Sequence, residues 1–238
     1  LDRLRNSDSM IRAAMRRMYG VLPRRLRLCY CSLLVCFRQD PRSMSWNHRV
    51  GWLEPQASAY WFDRCQKQIV WEQPQVRVYG KVHRVPRLSA FLAEASVSYR
   101  YSGVIHRGQG WPDWFMPLLE QVNQSCSAQF NGCLFNLYRD GDDRMGWHAD
   151  DEPEIDARCP IASLSFGATR ALQFRHRQSQ SRDQLALADG DLLVMEPDCQ
   201  QLWMHALPVR KRVRTPRLNL TFRVFLPMSS AAQPKLAP

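Results

Sequence analysis

After residue 130 the chain consists of short apolar runs separated by turn residues, and this pattern limits the possible folds more than any other feature. The apolar runs cover residues 133–138, 162–166, 171–175, 192–195 and 218–226. The turn residues are Asp140-Gly141-Asp142, Gly167 and Asp189-Gly190-Asp191. Runs of this length and spacing are typical of the strands of a jelly roll. We therefore predict an α+β fold that is mainly β, with a double-stranded β-helix (jelly roll) core and helices packed on one face.

The spacing of apolar residues also predicts elements before residue 130. Ala57, Trp61 and Cys65 recur at a spacing of four, which is typical of an amphipathic helix. A later helix contains Pro117, which must lie in the first turns unless the helix begins after it. The predicted elements are helices over 54–68 and 111–122 and strands over 75–79 and 96–101.

The net charge of +11 is unevenly distributed along the chain. Residues 1–50 carry eleven arginines against three aspartates, so eight of the eleven net positive charges lie there. Such a segment is either a solvated basic tail or an organelle transit peptide. Because most of the excess lies outside the predicted β region, net charge is weak evidence for a nucleic-acid partner.

Membrane and disulfide-rich classes fit the sequence poorly. No run approaches the roughly 18 apolar residues of a membrane span, so we expect no membrane association. The eight cysteines form no paired CxxC arrangement, and a chain of 238 residues needs no disulfide framework. We expect reduced thiols in an intracellular protein, cytoplasmic in a bacterium and nuclear or organellar in a eukaryote.

The densest group of metal-capable side chains lies at residues 147–152. In a strand, or in the loop after one, His148 and Asp150 face the same way and can bind one ion together. His205 follows a predicted strand and is the candidate for a third ligand. Two imidazoles and one carboxylate form the facial triad of iron(II) oxygenases, which leaves coordination positions open. By itself the H-x-D pattern with a distant histidine is a weak signal.

A second pattern occupies residues 217–223, where Arg217, Asn219, Thr221 and Arg223 alternate with apolar residues. In a two-layer β-fold, four polar residues on one strand face point into a polar cavity, where an arginine fork can bind a carboxylate. The alternative is a basic edge strand with both arginines in solvent. Asn136 and Tyr138 alternate in the same way, and either bind a cosubstrate or are structural.

Together these motifs resemble, in order and spacing, those of the AlkB family of Fe(II)- and 2-oxoglutarate-dependent dioxygenases, especially the DNA-acting alkylation-repair members. The resemblance covers roughly residues 52–227. Its catalytic motifs are Asn136-Leu137-Tyr138, His148-Ala149-Asp150, residues 160–167, His205 and residues 217–223. Its upstream motifs, similar to the nucleotide-recognition part of the family, are residues 78–81, Pro86-Arg87 and residues 99–103.

The resemblance implies a role for each matching residue. His148, Asp150 and His205 would bind iron(II), and dioxygen and 2-oxoglutarate would be the cosubstrates. Tyr138 and Arg217 would hold the distal carboxylate of 2-oxoglutarate. The remaining cosubstrate pocket is assigned to Asn136, Asn219, Thr221 and Arg223.

The reaction implied is oxidative demethylation of N-alkylated bases in DNA, chiefly 1-methyladenine and 3-methylcytosine, with release of formaldehyde, succinate and CO2. A base inside a duplex must be flipped out, and aromatic side chains replace the lost stacking. Tyr99 and Tyr101 would clamp the base, Tyr79 would fill the vacated stack, and Asp151 and Glu152 would face the cationic ring. The other substrate-binding residues implied are Lys81, Arg87, Ser102, Gly103 and Arg175.

Phosphate contacts are expected from Lys81, Arg84, Arg87, Arg175, His176 and Arg177. For each aromatic residue the alternative is a place in the core, and for each cation it is a solvated face. Two other functions stay open: an oxygenase acting on RNA, protein or a small molecule, and a non-catalytic basic nucleic-acid-binding module.

The predicted organisation has three parts. Residues 1–45 form a basic extension that is disordered or outside the domain, and residues 229–238 form a tail. The dioxygenase domain covers residues 46–228. Within it, residues 46–125 form the nucleotide-recognition part and residues 126–228 the jelly-roll core. The expected partner is alkylated DNA, with RNA as the alternative, and the protein is expected to be a monomer.

Overall fold

The computed structural model describes residues 45–78, 80–101 and 104–227. The predictions for residues 1–44 and 229–238 lie outside the described residues, as do those for Tyr79, Ser102 and Gly103. The side chains of Lys81 and Tyr101 are also outside the description.

The described residues form fourteen strands and three α-helices, joined by loops. The strands are β1 Trp46–Arg49, β2 Gln75–Val78, β3 Lys81–Arg84, β4 Leu88–Ala93, β5 Ser98–Tyr101, β6 Val104–Arg107, β7 Gly132–Tyr138, β8 Met145–His148, β9 Ile161–Gly167, β10 Arg170–His176, β11 Arg182–Leu187, β12 Leu192–Met195, β13 Trp203–Leu207 and β14 Arg217–Arg223. The helices are α1 Pro55–Gln68, α2 Met116–Cys126 and α3 Cys199–Leu202, and a 3-10 turn at Asp113–Phe115 precedes α2.

Two antiparallel sheets form the core of the fold. The large sheet has six strands in the order β1-β12-β9-β14-β7-β4, and the small sheet has four in the order β11-β10-β13-β8. The pairs β2-β3 and β5-β6 form separate hairpins. This architecture confirms the predicted mainly β fold.

Alternation along β14 explains how the large sheet is buried on both faces. Leu218, Leu220 and Phe222 point to one face and pack with residues of α1 and α2 in the largest apolar cluster. The helices therefore cover this outer face, as predicted. The polar residues of β14 point the other way, toward the small sheet.

A second apolar cluster fills the space between the two sheets. Trp46 of β1 stacks on Phe174 of β10 with ring centroids 4.1 Å apart. Ile161 and Met195 from the large sheet join Leu172 and Leu207 from the small sheet in this cluster. The two sheets are thus packed face to face, and a polar cavity at this interface is held between rigid walls.

Both predicted helices are present. Pro55 occupies the first turn of α1, where its missing N–H costs nothing, and Pro117 lies in the first turn of α2. No described helix combines the length and apolar character needed to cross a bilayer. All five cysteines in the described ranges are free thiols.

Seven strands were missing from the sequence prediction, namely β1, β3, β4, β6, β8, β11 and β13. Two of them bear on the expected division at residue 125, because β1 and β4 lie in the same sheet as β7. The large sheet therefore takes strands from both sides of that boundary, and residue 125 does not separate two structural units.

Candidate active site

Strand pairing in the small sheet brings the three predicted metal ligands together. His148 ends β8 and lies directly opposite His205 of β13, and Asp150 follows two residues later. One ligand atom from each of the three side chains lies within 4.8 Å of the other two. Such spacing fits a single ion held by two imidazoles and one carboxylate.

A hydrogen bond orients His148, and burial changes the pKa of His205. A backbone carbonyl can only accept, so His148 Nδ1 donates to Gly146 O at 2.9 Å and its Nε2 is free to bind an ion. Burial lowers the pKa of His205 to about 3, and neighbouring His148 acts in the same direction. His148 thus presents Nε2 toward the cluster, and His205 favours the neutral form that binds a metal.

The carboxylate of Asp150 is buried and held by partners on two other elements. Arg223 of β14 lies 2.9 Å from Asp150 Oδ1, and Gln200 of α3 accepts the backbone N–H of Asp150 at 2.9 Å. Burial alone would raise the pKa of Asp150, but Arg223 and the two histidines outweigh it and hold this pKa below its ordinary value. The carboxylate is thus kept ionised and fixed in place.

The polar face of β14 lies inside the molecule. This excludes the alternative that β14 is an edge strand with both arginines in solvent. Arg217 is 3% exposed and Arg223 is 2% exposed, and β14 is a central strand. Asn219 donates to Ser163 Oγ at 2.8 Å and Thr221 donates to Asn219 Oδ1 at 3.1 Å. Arg217 donates to Ser165 Oγ at 2.9 Å. The two arginines therefore bracket a fixed row of polar groups.

These side chains line one cavity between the sheets, with about 470 Å³ of empty space including its open mouth. The triad lies on its wall together with all four polar residues of β14, Asn136 and Tyr138. Several buried nitrogens have no hydrogen-bond partner among the described residues. They are Nδ1 of His205, Nε of Arg217, and Nε and Nη1 of Arg223. Buried donors without partners are rare in native proteins, and here they fit an anionic cosubstrate beside a metal ion.

Three residues expected to bind substrate are engaged elsewhere in the structure. Tyr99 is only 1% exposed, packs on Phe225 and donates to Glu152 Oε1 at 2.9 Å, so it is a core residue rather than a clamp. Arg87 is 6% exposed and donates to Asn136 Oδ1 at 2.7 Å. Its buried guanidinium orients a cavity residue, and its phosphate contact stays a prediction.

The third is Asp151, which forms an ion pair with Arg177 at 2.5 Å on the exposed rim. Asp151, which was expected to contact the base, and Arg177, which was expected to contact a phosphate, therefore neutralise each other's charge. Arg175 lies against the Trp147 ring, 4.7 Å from its centroid, on a half-buried surface. Glu152 is half-buried and accepts from the Tyr99 hydroxyl, and burial, followed by the charge of Asp150, raises the pKa of Glu152. Its contact with the base stays a prediction.

Four cavity or supporting residues were not assigned from the sequence. Ser163 and Ser165 alternate with apolar residues in β9, so the same periodicity that revealed the β14 face was available for them. Gln200 and the buried Arg170 gave no comparable signal. An isolated polar residue beside a strand is usually interpreted as exposed.

The comparisons with known proteins agree with this geometry. A family model described as the 2OG-Fe(II) oxygenase superfamily matches residues 47–223. The chain belongs to this superfamily and is a dioxygenase, a class that uses Fe(II), 2-oxoglutarate and dioxygen. Within that class it belongs to the AlkB family, as the similarity to curated relatives shows.

These relatives include the mouse and human proteins named DNA oxidative demethylase ALKBH2. The mouse protein is 43% identical over 165 residues, 64% of this chain and 67% of that protein. The human protein is 42% identical over 164 residues, 64% of this chain and 61% of that protein.

The bovine alpha-ketoglutarate-dependent dioxygenase alkB homolog 3 is 35% identical over 177 residues, 70% of this chain and 61% of that protein. The chain thus spans between 61% and 67% of the length of these three relatives. The solved structure of OsALKBH1 superimposes with a TM-score of 0.56 at 18% identity. It covers 75% of this chain and 97% of that one, and it supports the fold alone.

Proposed function

We propose that this protein is an oxidative demethylase of N-alkylated bases in DNA that converts 1-methyladenine and 3-methylcytosine to the unmodified bases. The released products are formaldehyde, succinate and CO2. One observation carries the proposal. A single cavity has on its wall both a His-Asp-His cluster and the buried Arg217, which has no carboxylate partner among the described residues.

The donor set of the cavity fits the two groups that the family uses. His148, Asp150 and His205 would hold iron(II), and Tyr138 with Arg217 would hold the distal carboxylate of 2-oxoglutarate. When bound, iron with its cosubstrates supplies the oxidising power for hydroxylation of the alkyl carbon. The hydroxylated carbon then leaves the base as formaldehyde.

The contribution of the chain is to fix charges before the substrate arrives. Arg223 keeps Asp150 ionised, and the Gly146 carbonyl fixes the tautomer of His148. Asn219 and Thr221 bond to each other and to β9, so the floor of the cavity does not have to reorganise.

The acidic wall beside the triad favours a cationic base. Glu152 and Glu196 line a second opening of about 420 Å³ next to the metal cluster, together with Asp150 and Asp156, which are paired with Arg223 and Arg158. Both 1-methyladenine and 3-methylcytosine carry a positive charge, which Glu152 and Glu196 attract. Uncharged bases gain nothing from this attraction, so the wall supports a preference for the alkylated base.

An exposed basic loop supports a nucleic-acid partner. The loop between β13 and β14 exposes four cations, namely Arg210, Lys211, Arg212 and Arg214. Loops of this charge bind phosphates in a salt-dependent manner. Mouse and human relatives at 42–43% identity are named DNA oxidative demethylases, which favours DNA over RNA as the substrate. We propose that a monomer suffices, because the triad, Tyr138 and Arg217 all come from one chain.

Intact-strand mass spectrometry tests the proposal. The protein is supplied with iron(II), 2-oxoglutarate and oxygen together with an oligonucleotide that contains one 1-methyladenine. The strand should lose the mass of one CH2 unit, since hydrogen replaces the methyl group, and the His148→Ala variant should leave it unchanged. His148 is the better control position, because loss of Asp150 would leave Arg223 buried without its partner.

A strand that stays methylated in the presence of the wild-type protein would contradict the proposal. Succinate formation in the same reaction would then show that the protein is an oxygenase that acts on a substrate other than the methylated base. Absence of both products would favour the non-catalytic binding module.

A further inference from the structure

Arg170, the first residue of β10, is a buried cation that the proposed reaction does not yet use. It is 1% exposed, and its guanidinium donates to three backbone carbonyls. These are Asp140 O at 3.0 Å, Asp143 O at 3.0 Å and Pro208 O at 2.6 Å. One side chain therefore joins the loop after β7 to the loop after β13.

No carboxylate neutralises Arg170 within the described ranges of the chain. Asp143 accepts from Arg170 through its backbone carbonyl, but its carboxylate is bound to Arg139 at 2.8 Å. Burying a cation with only carbonyl dipoles around it is costly, and burial lowers its pKa. A structural link between two loops could be made with a neutral side chain, so the retained charge calls for another purpose.

The position of Tyr138 suggests what that purpose is. The guanidinium of Arg170 lies 5.9 Å from the centroid of the Tyr138 ring, and that of Arg217 lies 5.5 Å from the same centroid. The Tyr138 hydroxyl lies 3.8 Å from Met145 Sδ, which is a weak acceptor. Two cations thus flank one phenol whose hydroxyl has no strong partner in the described structure.

Arg170 is not among the described residues that line the cavity, whereas Tyr138 and Arg217 are. It can therefore act on a ligand only through Tyr138 and through its electric field. A unit charge at this depth is weakly screened, because the surrounding medium has a lower effective dielectric constant than water.

We propose that Arg170 is a positioning residue for the distal carboxylate of 2-oxoglutarate. It holds the Tyr138 phenol against the cavity and adds a second positive charge behind it. This arrangement selects ligands that carry a distal carboxylate over ligands that carry only the metal-chelating end. The inference deepens the proposed function and rests on it.

The test compares two ligands on protein loaded with Mn(II), a redox-silent substitute for iron. N-oxalylglycine carries a chelating group and a distal carboxylate, whereas both carboxylates of oxalate chelate the metal and none is distal. Calorimetric titration gives both dissociation constants for the wild type and for three variants. Arg170→Gln removes the charge but keeps amide donors, Arg170→Lys keeps the charge, and Arg182→Gln removes an exposed cation from the same small sheet.

The Gln variant should bind N-oxalylglycine about tenfold more weakly, as loss of a nearby buried charge implies, and oxalate should change by less than about twofold. The Lys variant should stay within about threefold of the wild type for both ligands, since the charge is retained. Arg182→Gln should match the wild type.

If Arg170→Gln weakened the binding of both ligands equally, or weakened the binding of neither, the inference would be overturned and the proposed function would stand. Failure of both Arg170 variants to fold would also overturn it, because Arg170 would then be a structural clamp alone. A wild-type protein that binds neither ligand would overturn the proposed function and the inference together.

Discussion

Arg217 and Arg223 lie six positions apart on the same face of β14 and are equally buried, yet their surroundings give them opposite tasks. Arg223 is 2.9 Å from Asp150, and this carboxylate outweighs burial and raises the pKa of Arg223 above its ordinary value. Among the described residues, Arg217 donates to Ser165 and has no carboxylate partner, and burial lowers its pKa to about 10. One arginine fixes the charge of a predicted metal ligand, and the other is predicted to receive an anion.

The comparison shows that residue type and periodicity do not determine a role by themselves. Both arginines come from one alternating pattern and enter one cavity. What distinguishes them among the described residues is a carboxylate partner, Asp150 of the loop after β8, which Arg223 has and Arg217 lacks. Substitutions at the two positions should therefore affect different ligands and different properties.

The largest effect is expected from Arg217→Met. Removal of one partner from a buried carboxylate contact costs about 2–5 kcal/mol, so the KM for 2-oxoglutarate should rise at least about thirtyfold. Binding of Mn(II), measured by calorimetry, should stay unchanged because Arg217 touches none of the three metal ligands. Thermal stability should also be retained, since no buried charge loses its counter-ion.

A parallel loss of Mn(II) affinity in this variant would contradict the assignment of different roles to the two arginines. Ser165→Ala is the matched control, because it removes the present partner of Arg217 without removing the charge. Its effect on the KM should be several times smaller.

A smaller effect on ligand binding but a larger effect on stability is expected from Arg223→Met. Asp150 would then be buried without its counter-ion, which costs about 3–5 kcal/mol of unfolding free energy. For a chain of this size the melting temperature should fall by roughly 6–20 °C. Loss of a partner that orients a metal ligand should weaken Mn(II) binding by about 10–100-fold.

The double variant Asp150→Asn with Arg223→Met checks the physical reason. It removes both charges, so part of the lost melting temperature should return, as a thermal scan would measure. A double variant that is less stable than Arg223→Met alone would mean that the ion pair is not the source of the effect.

Local patterns predicted much of the catalytic site. The alternation at Arg217, Asn219, Thr221 and Arg223 indicates a polar strand face from the sequence alone, and the H-x-D spacing places His148 beside Asp150. Both features depend on neighbours within a few residues, so they are visible in the sequence. The adjacency of His205 to His148 depends on the pairing of β13 with β8. The sequence offered His205 as a candidate third ligand because it follows a predicted strand, and the family resemblance supported that choice.

The substrate side was predicted less well because it depends on distant contacts. Tyr99 is buried by Phe225, which lies 126 positions later, and Asp151 is neutralised by Arg177 from the turn after β10. The sequence suggests an exposed cation at Arg87, but β4 pairs with β7, which carries Asn136, and this pairing buries the guanidinium. Charge and aromaticity describe what a side chain can do, whereas these contacts decide what it does.

The most direct test of the central claim is the ratio of formaldehyde to succinate released with two oligonucleotides of identical sequence, one of which contains 1-methyladenine. The account predicts equimolar release with the methylated strand, and little succinate and no formaldehyde with the unmethylated one. Equal succinate from both strands without formaldehyde would show that the cavity activates oxygen for another substrate, and would contradict the claim.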